Sequence, residues 1–435
     1  MSMRKVWLVF AFCFLALPAL ARTGPEFGRF FRDKTLRMDY LHTGTKTESV
    51  YSLGRFYEEG PWAGSTTNLV DTLNLGNYLL RVFDLKTNAL IYSYGYSTLF
   101  REWQTTDEAA HTIRRSFRET LCMPFPKRPV QITISERDRQ NHFHEKFTTI
   151  LNPHSRFIWR EKRVPAGVSV KTLVNAGDPH KSVDLAILAE GYTSAQKKKF
   201  FRDAQKRTAV LLNTEPFKSN KKRISVRAVF VPSVESGPDQ PRKGIFRHTA
   251  LDFTFNSLDL PRYLIKGNTW AVHDVASVVP YDNIYILVNS KRYGGGAIFN
   301  YYAVCISDNK WSDYIFVHEF GHAFGGLGDE YYSSAVTYND FYPPGVEPWE
   351  PNITALLDTA ILKWKDLVPP GTPLPTPPDT VKYGNVVGAF EGAGYVAKGL
   401  YRPTLNHCIM FQKNWPDYCP VCRRAIEKAI RFKSD

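Results

Sequence analysis

Cysteine is scarce in this sequence, and long hydrophobic runs are nearly absent. Six cysteines occur among 435 residues, and one of them, Cys13, lies in the opening stretch, residues 1–21. Beyond that opening stretch no apolar run is long enough to span a bilayer. Lysine and arginine outnumber aspartate and glutamate by 56 to 42, but they are scattered, and no nucleic-acid-binding motif accompanies them. We therefore expect no nucleic-acid partner and no stable membrane insertion.

The opening stretch has the pattern of a secretory signal peptide. Arg4 and Lys5 form a charged start, residues 6–17 an apolar stretch, and residues 19–21 a small-x-small cleavage site. Retention as an uncleaved anchor is the alternative, although the apolar stretch is short for a membrane span. We predict an exported protein that is secreted, periplasmic or associated with the cell surface. Cleavage removes two basic residues and lowers the net charge from +14 to +12.

Export permits disulfide bonds. Five cysteines remain after cleavage: Cys122, Cys305, Cys408, Cys419 and Cys422. The last three cluster near the C-terminus, and we predict one bridge among them. Its partners are Cys408 and either Cys419 or Cys422, because spacing does not determine the connectivity. The alternative is a structural zinc ion bound by these three cysteines and His407, because three cysteines and one histidine form a closed ligand set.

Up to about residue 155 the sequence has the pattern of β-strands. Strand-forming residues fill positions 78–85, and positions 130–135 alternate between apolar and polar side chains. Turn residues such as Gly60 and Pro61 separate these runs. We predict an N-terminal β-sandwich domain over residues 22–155. The sequence places no catalytic constellation in it.

After residue 155 the pattern changes. Prolines and glycines interrupt residues 156–182, which we interpret as a linker. Beyond it, residues 184–189 and 283–289 have the pattern of buried strands, and Thr193 with Gln196 forms a capping box at the start of a helix. Strands separated by helices predict an α/β sheet. The expected fold class is α+β overall, with an α/β domain over residues 183–435.

The most informative stretch is residues 318–322, which match the pattern H-E-x-x-H. On a helix, the imidazoles of His318 and His322 project from one face and can bind one zinc ion, while Glu319 can reach the water bound to the metal. The alternative is a surface helix with two unrelated histidines. Apolar residues throughout the stretch argue against it, because they predict a buried helix.

A hydrolytic zinc site needs a third protein ligand and one open position. Glycines follow the motif at Gly325, Gly326 and Gly328. Because glycine disfavours a continuing helix and readily adopts positive φ, we expect the chain to turn back towards the metal. Asp329 is the predicted third ligand, and Glu330 is the alternative.

Residues 293–304 lie between the last predicted strand and the zinc helix and contain three consecutive glycines. They do not form a phosphate-binding loop, because the lysine and hydroxyl residues of such a loop are missing. We predict a flexible turn leading into an edge strand beside the metal. An extended peptide could add to this edge as one more strand. A plain surface hairpin is the alternative.

Several of these stretches resemble a known family. They are residues 318–331, 293–302, 389–402, Cys408 to Met410 and the Cys-Pro-Val-Cys run at 419–422. Together they are similar to the bacterial IgA peptidase family of metzincin-like zinc metallopeptidases. Residues 188–199 and the β-rich N-terminal half also fit the two-domain layout of that family. The family name does not by itself make an immunoglobulin the substrate.

The resemblance implies a metzincin-like catalytic domain with one catalytic Zn²⁺ ion. His318 and His322 would be its ligands, Glu319 the general base, and Met410 part of a Met-turn. The chain departs from the broad metzincin pattern H-E-x-x-H-x-x-G-x-x-H/D at one point. Gly328 stands at the position of the third ligand, and the carboxylate arrives one residue later at Asp329.

The sequence therefore predicts a secreted, zinc-dependent endopeptidase that acts through a zinc-activated water. Its partner would be a protein or peptide substrate, host proteins and glycoproteins included, and we expect a monomer. Tyr331, Tyr332 and Tyr418 are available to stabilise an oxyanion. Two alternatives are a surface binding or adhesion module with a vestigial or structural zinc site, and a zinc amidase acting on cell-wall peptides. Glu319 argues against the first, because a structural zinc site has no use for a base.

Overall fold

The computed structural model describes residues 24–111, 113–161, 164–266, 268–334 and 342–435. The predicted signal peptide, residues 1–21, lies outside the described residues. Within the described ranges, no helix has both the length and the apolar character needed to cross a bilayer. The expected mixture of helices and sheets is confirmed.

Two four-stranded sheets dominate the N-terminal part. Its elements are α1 (Phe27–Phe30), β1 (Phe31–Gly44), β2 (Ser49–Glu58), β3 (Tyr78–Asp84), β4 (Leu90–Tyr96), α2 (Leu99–Gln104), α3 (Asp107–Ala110), β5 (Arg115–Pro126), β6 (Val130–Arg137), β7 (Phe143–Leu151) and β8 (Ile158–Trp159). The strand orders are β5-β1-β2-β8 and β4-β3-β6-β7. All neighbours are antiparallel except β2 and β8, which are parallel.

Alternation along the strands explains how the two sheets meet. In β3, every second side chain is buried, beginning with Tyr78, as expected for a strand with one face on a core. Leu36 and Met38 from the first sheet lie in the same hydrophobic cluster as Leu80 and Ile132 from the second. The two sheets therefore share one core.

A six-stranded sheet forms the centre of the C-terminal part. The elements are β9 (Ser169–Val174), β10 (Val183–Glu190), α4 (Lys197–Leu211), β11 (Ile224–Phe230), α5 (Trp270–Ala276), β12 (Asn283–Val288), β13 (Gly295–Ile298), β14 (Tyr302–Ile306), α6 (Ser312–Gly325), α7 (Thr380–Tyr383), β15 (Phe390–Ala393), β16 (Val396–Arg402) and α8 (Pro420–Ser434). The order is β13-β14-β12-β10-β11-β9. The four inner strands run parallel, and both edge strands are antiparallel to their neighbours.

Three of the inner strands are buried along their whole length. Every residue of β10, β12 and β14 is buried, which is typical of parallel strands in α/β folds. The capping box of Thr193 and Gln196 is present in the short 3₁₀ turn that leads into α4. A separate hairpin, β15–β16, lies outside the main sheet.

The stretch predicted as a linker, residues 156–182, is more ordered than the sequence indicates. Its β8 pairs with β2, and its β9 pairs with β11. Both strands are sheet edges, and β9 has no buried residue. Because such strands lack a continuous apolar run, nearby prolines and glycines obscured their pattern.

A buried cation joins the two parts. Arg37 on β1 donates to Asp39 at 2.8 Å and to Asp274 on α5 at 2.7 Å. The same guanidinium bonds the carbonyl oxygen of Trp270 and lies 3.3 Å from a carboxylate oxygen of Glu59. One positive group therefore faces three carboxylates at the contact between the N-terminal sheets and the C-terminal part.

Candidate metal centre

Helix α6 ends at Gly325, three residues after the H-E-x-x-H motif. Gly326 has the left-handed conformation, with φ of 62°, and donates its N–H to the carbonyl of His322 at 3.2 Å. The N–H of Leu327 reaches back to the carbonyl of Gly321, also at 3.2 Å. Only glycine adopts this conformation without strain from a side chain. The turn reverses the chain and brings Asp329 back to the histidines.

Three potential ligand atoms converge there. The Nε2 atoms of His318 and His322 are 3.2 Å apart. The Oδ1 atom of Asp329 lies 3.2 Å from the first and 3.3 Å from the second. Ligand atoms about 2.0–2.1 Å from a zinc ion at two corners of a tetrahedron are about 3.3 Å apart. The triangle therefore has the dimensions of three corners of a zinc site.

A hydrogen bond at Nδ1 of each histidine orients the ring and its Nε2 atom. Nδ1 of His318 lies 3.1 Å from the carbonyl oxygen of Ile409, and Nδ1 of His322 lies 2.6 Å from that of Leu327. A carbonyl can only accept, so each Nδ1 carries a proton, and Nε2 is the nitrogen that remains to bind a metal ion. Such partners on the other ring nitrogen are typical of zinc-binding histidines.

The surroundings of the Asp329 carboxylate also favour a bound cation. Among the described residues, the buried Oδ1 of Asp329 has no hydrogen-bond partner apart from the two imidazoles. Three electron-rich atoms thus face one another in a buried space, which is unfavourable unless a positive charge lies between them. The residues present fit a divalent metal ion such as zinc.

Tyr395 holds Asp329 in place, a role that no sequence pattern indicated. Its hydroxyl donates to Oδ2 of Asp329. The hairpin that carries it is bonded to the same loop, through the N–H of Gly394 to the carbonyl of Asp329 at 2.9 Å and the N–H of Tyr395 to the carbonyl of Tyr331 at 3.0 Å. The carboxylate is therefore oriented by the turn between β15 and β16, which is distant from it along the chain.

Glu319 lies beside the edge strand β13. A Cβ atom at Gly295 would approach Oε1 of Glu319 to 3.2 Å and Ile315 to 2.7 Å, so glycine is needed to leave room for helix α6 at this point. Burial raises the pKa of Glu319 above its usual range, and the charge of Asp329 adds to the shift, while the two histidines oppose it. A carboxylate with a raised pKa accepts a proton more readily near neutral pH.

The charges of the triangle are strongly coupled. Burial would lower the pKa of His322, but without a metal ion Asp329, Glu319 and the carbonyl of Leu327 together outweigh burial and raise that pKa to about 9, so a metal ion takes the place of a proton. Burial would raise the pKa of Asp329, yet the two histidines hold it well below its usual range. The carboxylate is therefore ionised throughout the physiological range and is suited to binding a cation.

Met410 and Tyr418 pack beneath the motif. A Cβ atom at Gly321 would lie 2.9 Å from the ring of Tyr418 and 3.1 Å from the sulfur of Met410. The hydroxyl of Tyr418 donates to the carbonyl of Val317 inside the core, so Tyr418 does not face the metal side. Of the three tyrosines considered for an oxyanion role, Tyr331 is the one that lines the cleft at the metal centre.

That cleft lies between the two parts of the molecule and has a volume of about 340 Å³. Its lining includes His322 and Tyr395 from the C-terminal part and Arg101 and Glu102 from α2. Burial raises the pKa of Glu102 to about 7, against the hydrogen bond donated by Tyr263. No motif in the N-terminal half indicated a site residue, yet that half provides one side of the cleft.

The edge strand β13 borders the same cleft, but most of its outer edge is already paired. Gly295 exchanges hydrogen bonds of 3.3 Å with Arg262 and Leu264, and the carbonyl of Phe299 accepts from Ser97 at 2.9 Å. Backbone groups of a strand alternate in direction, so those of Ala297 point the same way as those of Gly295. Among the described residues, none pairs with Ala297 on that side.

The clustered cysteines do not form the predicted bridge. Cys408, Cys419 and Cys422 are free thiols, and the sulfurs of Cys408 and Cys422 are 3.8 Å apart, whereas bonded sulfurs lie about 2.05 Å apart. His407, the alternative fourth ligand, instead stacks on the ring of Trp415 with ring centres 4.3 Å apart. The position beside the three sulfurs is occupied by Glu330, which therefore does not compete with Asp329.

Two matches to known protein families together cover most of the chain. The family described as IgA Peptidase M64 matches residues 171–384 and 379–430. The domain described as Peptidase M64 N-terminus matches residues 26–148. No curated protein matches the chain. The first match includes the histidine motif, Asp329 and the cysteine cluster.

Proposed function

Since this chain belongs to the IgA peptidase family M64 and is a metallopeptidase, we propose that it is an exported endopeptidase with a zinc centre formed by His318, His322 and Asp329. The observation that carries the proposal is the convergence of their three ligand atoms within 3.3 Å of one another. Family membership also sets aside the adhesion module, because that alternative has no catalytic activity.

Glu319 is the proposed general base. When bound, zinc lowers the pKa of a coordinated water and polarises the scissile carbonyl. Glu319 accepts a proton from the attacking water and then passes it to the leaving nitrogen. Its position next to the histidines and its raised pKa support both steps. Tyr331, which lines the cleft, is the proposed partner for the developing oxyanion.

The substrate is an extended protein or peptide segment. We propose that its backbone bonds to the N–H and carbonyl of Ala297, the open position of β13, and so lies across the metal centre. Adding a strand to a sheet edge in this way orients a peptide without requiring particular side chains. Residues of α2 then face the segment from the other side of the cleft.

The finer features of the fold belong to the same proposal. The shared core of the two N-terminal sheets supports a β-sandwich over residues 22–155, and the sheet with α6 supports a metzincin-like domain over residues 183–435, with 156–182 between them. The contact of Met410 with Gly321 supports its assignment to a Met-turn. Side chains of α2 pack into the C-terminal core, so the two domains do not separate cleanly.

Replacing Glu319 with glutamine tests the function. The variant keeps the shape and all three metal ligands but lacks the base, so we expect full zinc content and a loss of turnover of about 10²–10⁴-fold. Zinc would be measured by mass spectrometry of the metal, and cleavage by profiling cuts in a peptide library that includes peptidoglycan fragments. Cuts confined to those fragments would favour the amidase instead.

The matched control is Glu145→Gln, which makes the same change on the half-exposed strand β7. It should leave zinc content and cleavage unchanged. Chelator-sensitive cleavage that persists undiminished in Glu319→Gln would refute the role of Glu319, and absence of bound zinc from the wild-type chain would refute the metal centre.

A further inference from the structure

A second set of potential metal ligands lies directly behind the first. Cys408, Cys419, Cys422 and Glu330 are all fully buried, and one ligand atom from each lies within 4.8 Å of the other three. Glu330 is the residue next to Asp329, and its N–H bonds the carbonyl of Met410 at 3.0 Å. The cluster is thus connected to the loop that presents Asp329.

The spacing of these atoms matches a tetrahedral zinc site. Sulfurs about 2.3 Å from zinc lie about 3.8 Å apart, and a sulfur and a carboxylate oxygen about 3.5 Å apart. The sulfurs of Cys408 and Cys422 are 3.8 Å apart. Oε1 of Glu330 lies 3.0 Å from the sulfur of Cys422 and 3.7 Å from that of Cys419.

The local sequence and backbone are suited to binding through thiolates. Cys419 and Cys422 have the C-x₂-C spacing common in structural zinc sites. They lie at the start of the long helix α8, where the partial positive charge of the helix end favours a thiolate. The N–H of Cys419 points at the sulfur of Cys408, 3.4 Å away.

Glu330 gives an independent indication of a missing cation. Its Oε1 accepts from Asn352 at 3.1 Å, but its Oε2 has no hydrogen-bond partner among the described residues. A fully buried carboxylate that is only partly bonded and surrounded by sulfur is costly. A metal ion bound by Oε1 and the three sulfurs would offset the negative charge of this buried carboxylate.

We propose that Cys408, Cys419, Cys422 and Glu330 bind a second, structural zinc ion. Four protein ligands close this site to substrate, which distinguishes it from the catalytic centre. Binding releases the thiol protons to solvent and requires no redox partner. The ion anchors the start of α8 to the loop of Glu330, and therefore fixes Asp329 one residue away.

The test is the metal content of the full-length chain and three variants. Wild type should contain two zinc ions per chain. His318→Ala/His322→Ala should lose one and keep the other, and Cys408→Ser/Cys422→Ser should lose the structural ion. The control, Cys305→Ser, changes a buried thiol of strand β14 outside the cluster and should keep both ions.

If the cysteine variant fails to fold, the absorption spectrum of a cobalt-substituted protein tests the same site. His318→Ala/His322→Ala retains the cluster, so its cobalt-loaded form should show strong sulfur-to-cobalt charge-transfer absorption. A spectrum without that absorption would overturn the proposal. So would a wild-type chain with a single zinc that is lost with the two histidines, or an intact mass lower by two hydrogens, which indicates a disulfide. The metal content of the cysteine variant tests the structural ion, and the turnover of Glu319→Gln tests the proposed function. Either proposal can therefore be refuted without the other.

Discussion

At the scale of single residues, Tyr395 orients the carboxylate of Asp329, the proposed third ligand. Its hydroxyl donates to the Asp329 oxygen that faces away from the histidines, which leaves the other oxygen to the metal. Partners of this kind typically contribute about 10- to 100-fold to metal affinity. The orientation of Asp329 therefore depends on a residue that does not itself contact the metal position.

We predict that Tyr395→Phe weakens zinc binding by about 10- to 100-fold, because it removes one hydroxyl and leaves the ring in place. The measurement is a competition titration with a chelator of known affinity. Tyr401→Phe, on strand β16 of the same hairpin, is the control and should bind zinc like wild type. Equal affinities for Tyr395→Phe and wild type would contradict a supporting role for the hydroxyl.

The contrast between these residues shows what a sequence can reveal. His318 and His322 are recognisable because one turn of helix is enough to bring them together. Asp329 follows from the glycines that end the same helix. Tyr395 and Glu330 have no such local pattern, because their roles depend on how a hairpin and the start of α8 pack against one loop. Contacts between segments so far apart along the chain require the tertiary structure.

At the scale of elements, strand β13 has one position, Ala297, whose outward backbone groups pair with none of the described residues. Gly295 and Phe299 are engaged on either side of Ala297, so a substrate backbone has only the groups of Ala297 to bond. We predict that Ala297→Pro lowers kcat/KM by about fivefold, since it removes one N–H donor whose hydrogen bond is worth about 1 kcal/mol. Zinc content should not change, because proline is tolerated where the N–H points away from the sheet.

Peptide cleavage kinetics would measure this effect. Ala297→Val is the control, because it enlarges the side chain but keeps the donor. If valine and proline reduced kcat/KM equally, the loss would come from side-chain size, and pairing of the substrate with β13 would be wrong.

The elements differ in how well the sequence predicts them. Strands β10 and β12 are continuous apolar runs, and their predicted limits agree with the structure to within one residue at each end. Strands β8 and β9 were missed, since each is an edge strand that gains order from a neighbouring sheet. They are stabilised by backbone pairing with a neighbouring strand, and such pairing does not produce a recognisable hydrophobic pattern in the sequence.

At the scale of the whole molecule, the contact between the two parts includes three carboxylates around the single cation of Arg37. Burial raises the pKa of Glu59 from its ordinary value of 4.5 to about 7; Arg37 opposes the shift, whereas Asp39 and Asp274 add to it. An acid with a higher pKa in the folded state binds more protons when folded, so stability falls as the pH rises from about 4.5 to about 7.

We predict that Glu59→Gln removes this dependence. Relative to wild type, the free energy of unfolding of the variant should increase by up to about 3 kcal/mol between pH 4.5 and pH 8. Urea unfolding at several pH values would measure it. Glu58→Gln, the neighbouring position on β2, controls for the substitution itself. A constant difference between Glu59→Gln and wild type across this range would contradict the shifted pKa.

The arrangement of the two parts could not be predicted from the sequence. The N-terminal half shows β-strand patterns and no catalytic motif, so nothing in it indicated that Arg101 and Glu102 line the cleft. Which surfaces of two domains meet depends on shape and on single contacts such as Arg37 with Asp274. These contacts have no periodicity that a sequence pattern could reveal.

The proposed pairing of a substrate with the short gap in the edge of β13 would limit which proteins can be cut. Because Gly295 and Phe299 already make hydrogen bonds, a substrate that paired in this way would have to insert a few unfolded residues between them. A rigid domain surface cannot do this, whereas a hinge, an exposed tail or an interdomain connector can. The rate of cleavage would then depend more on how easily a segment of the substrate protein unfolds locally than on its side chains.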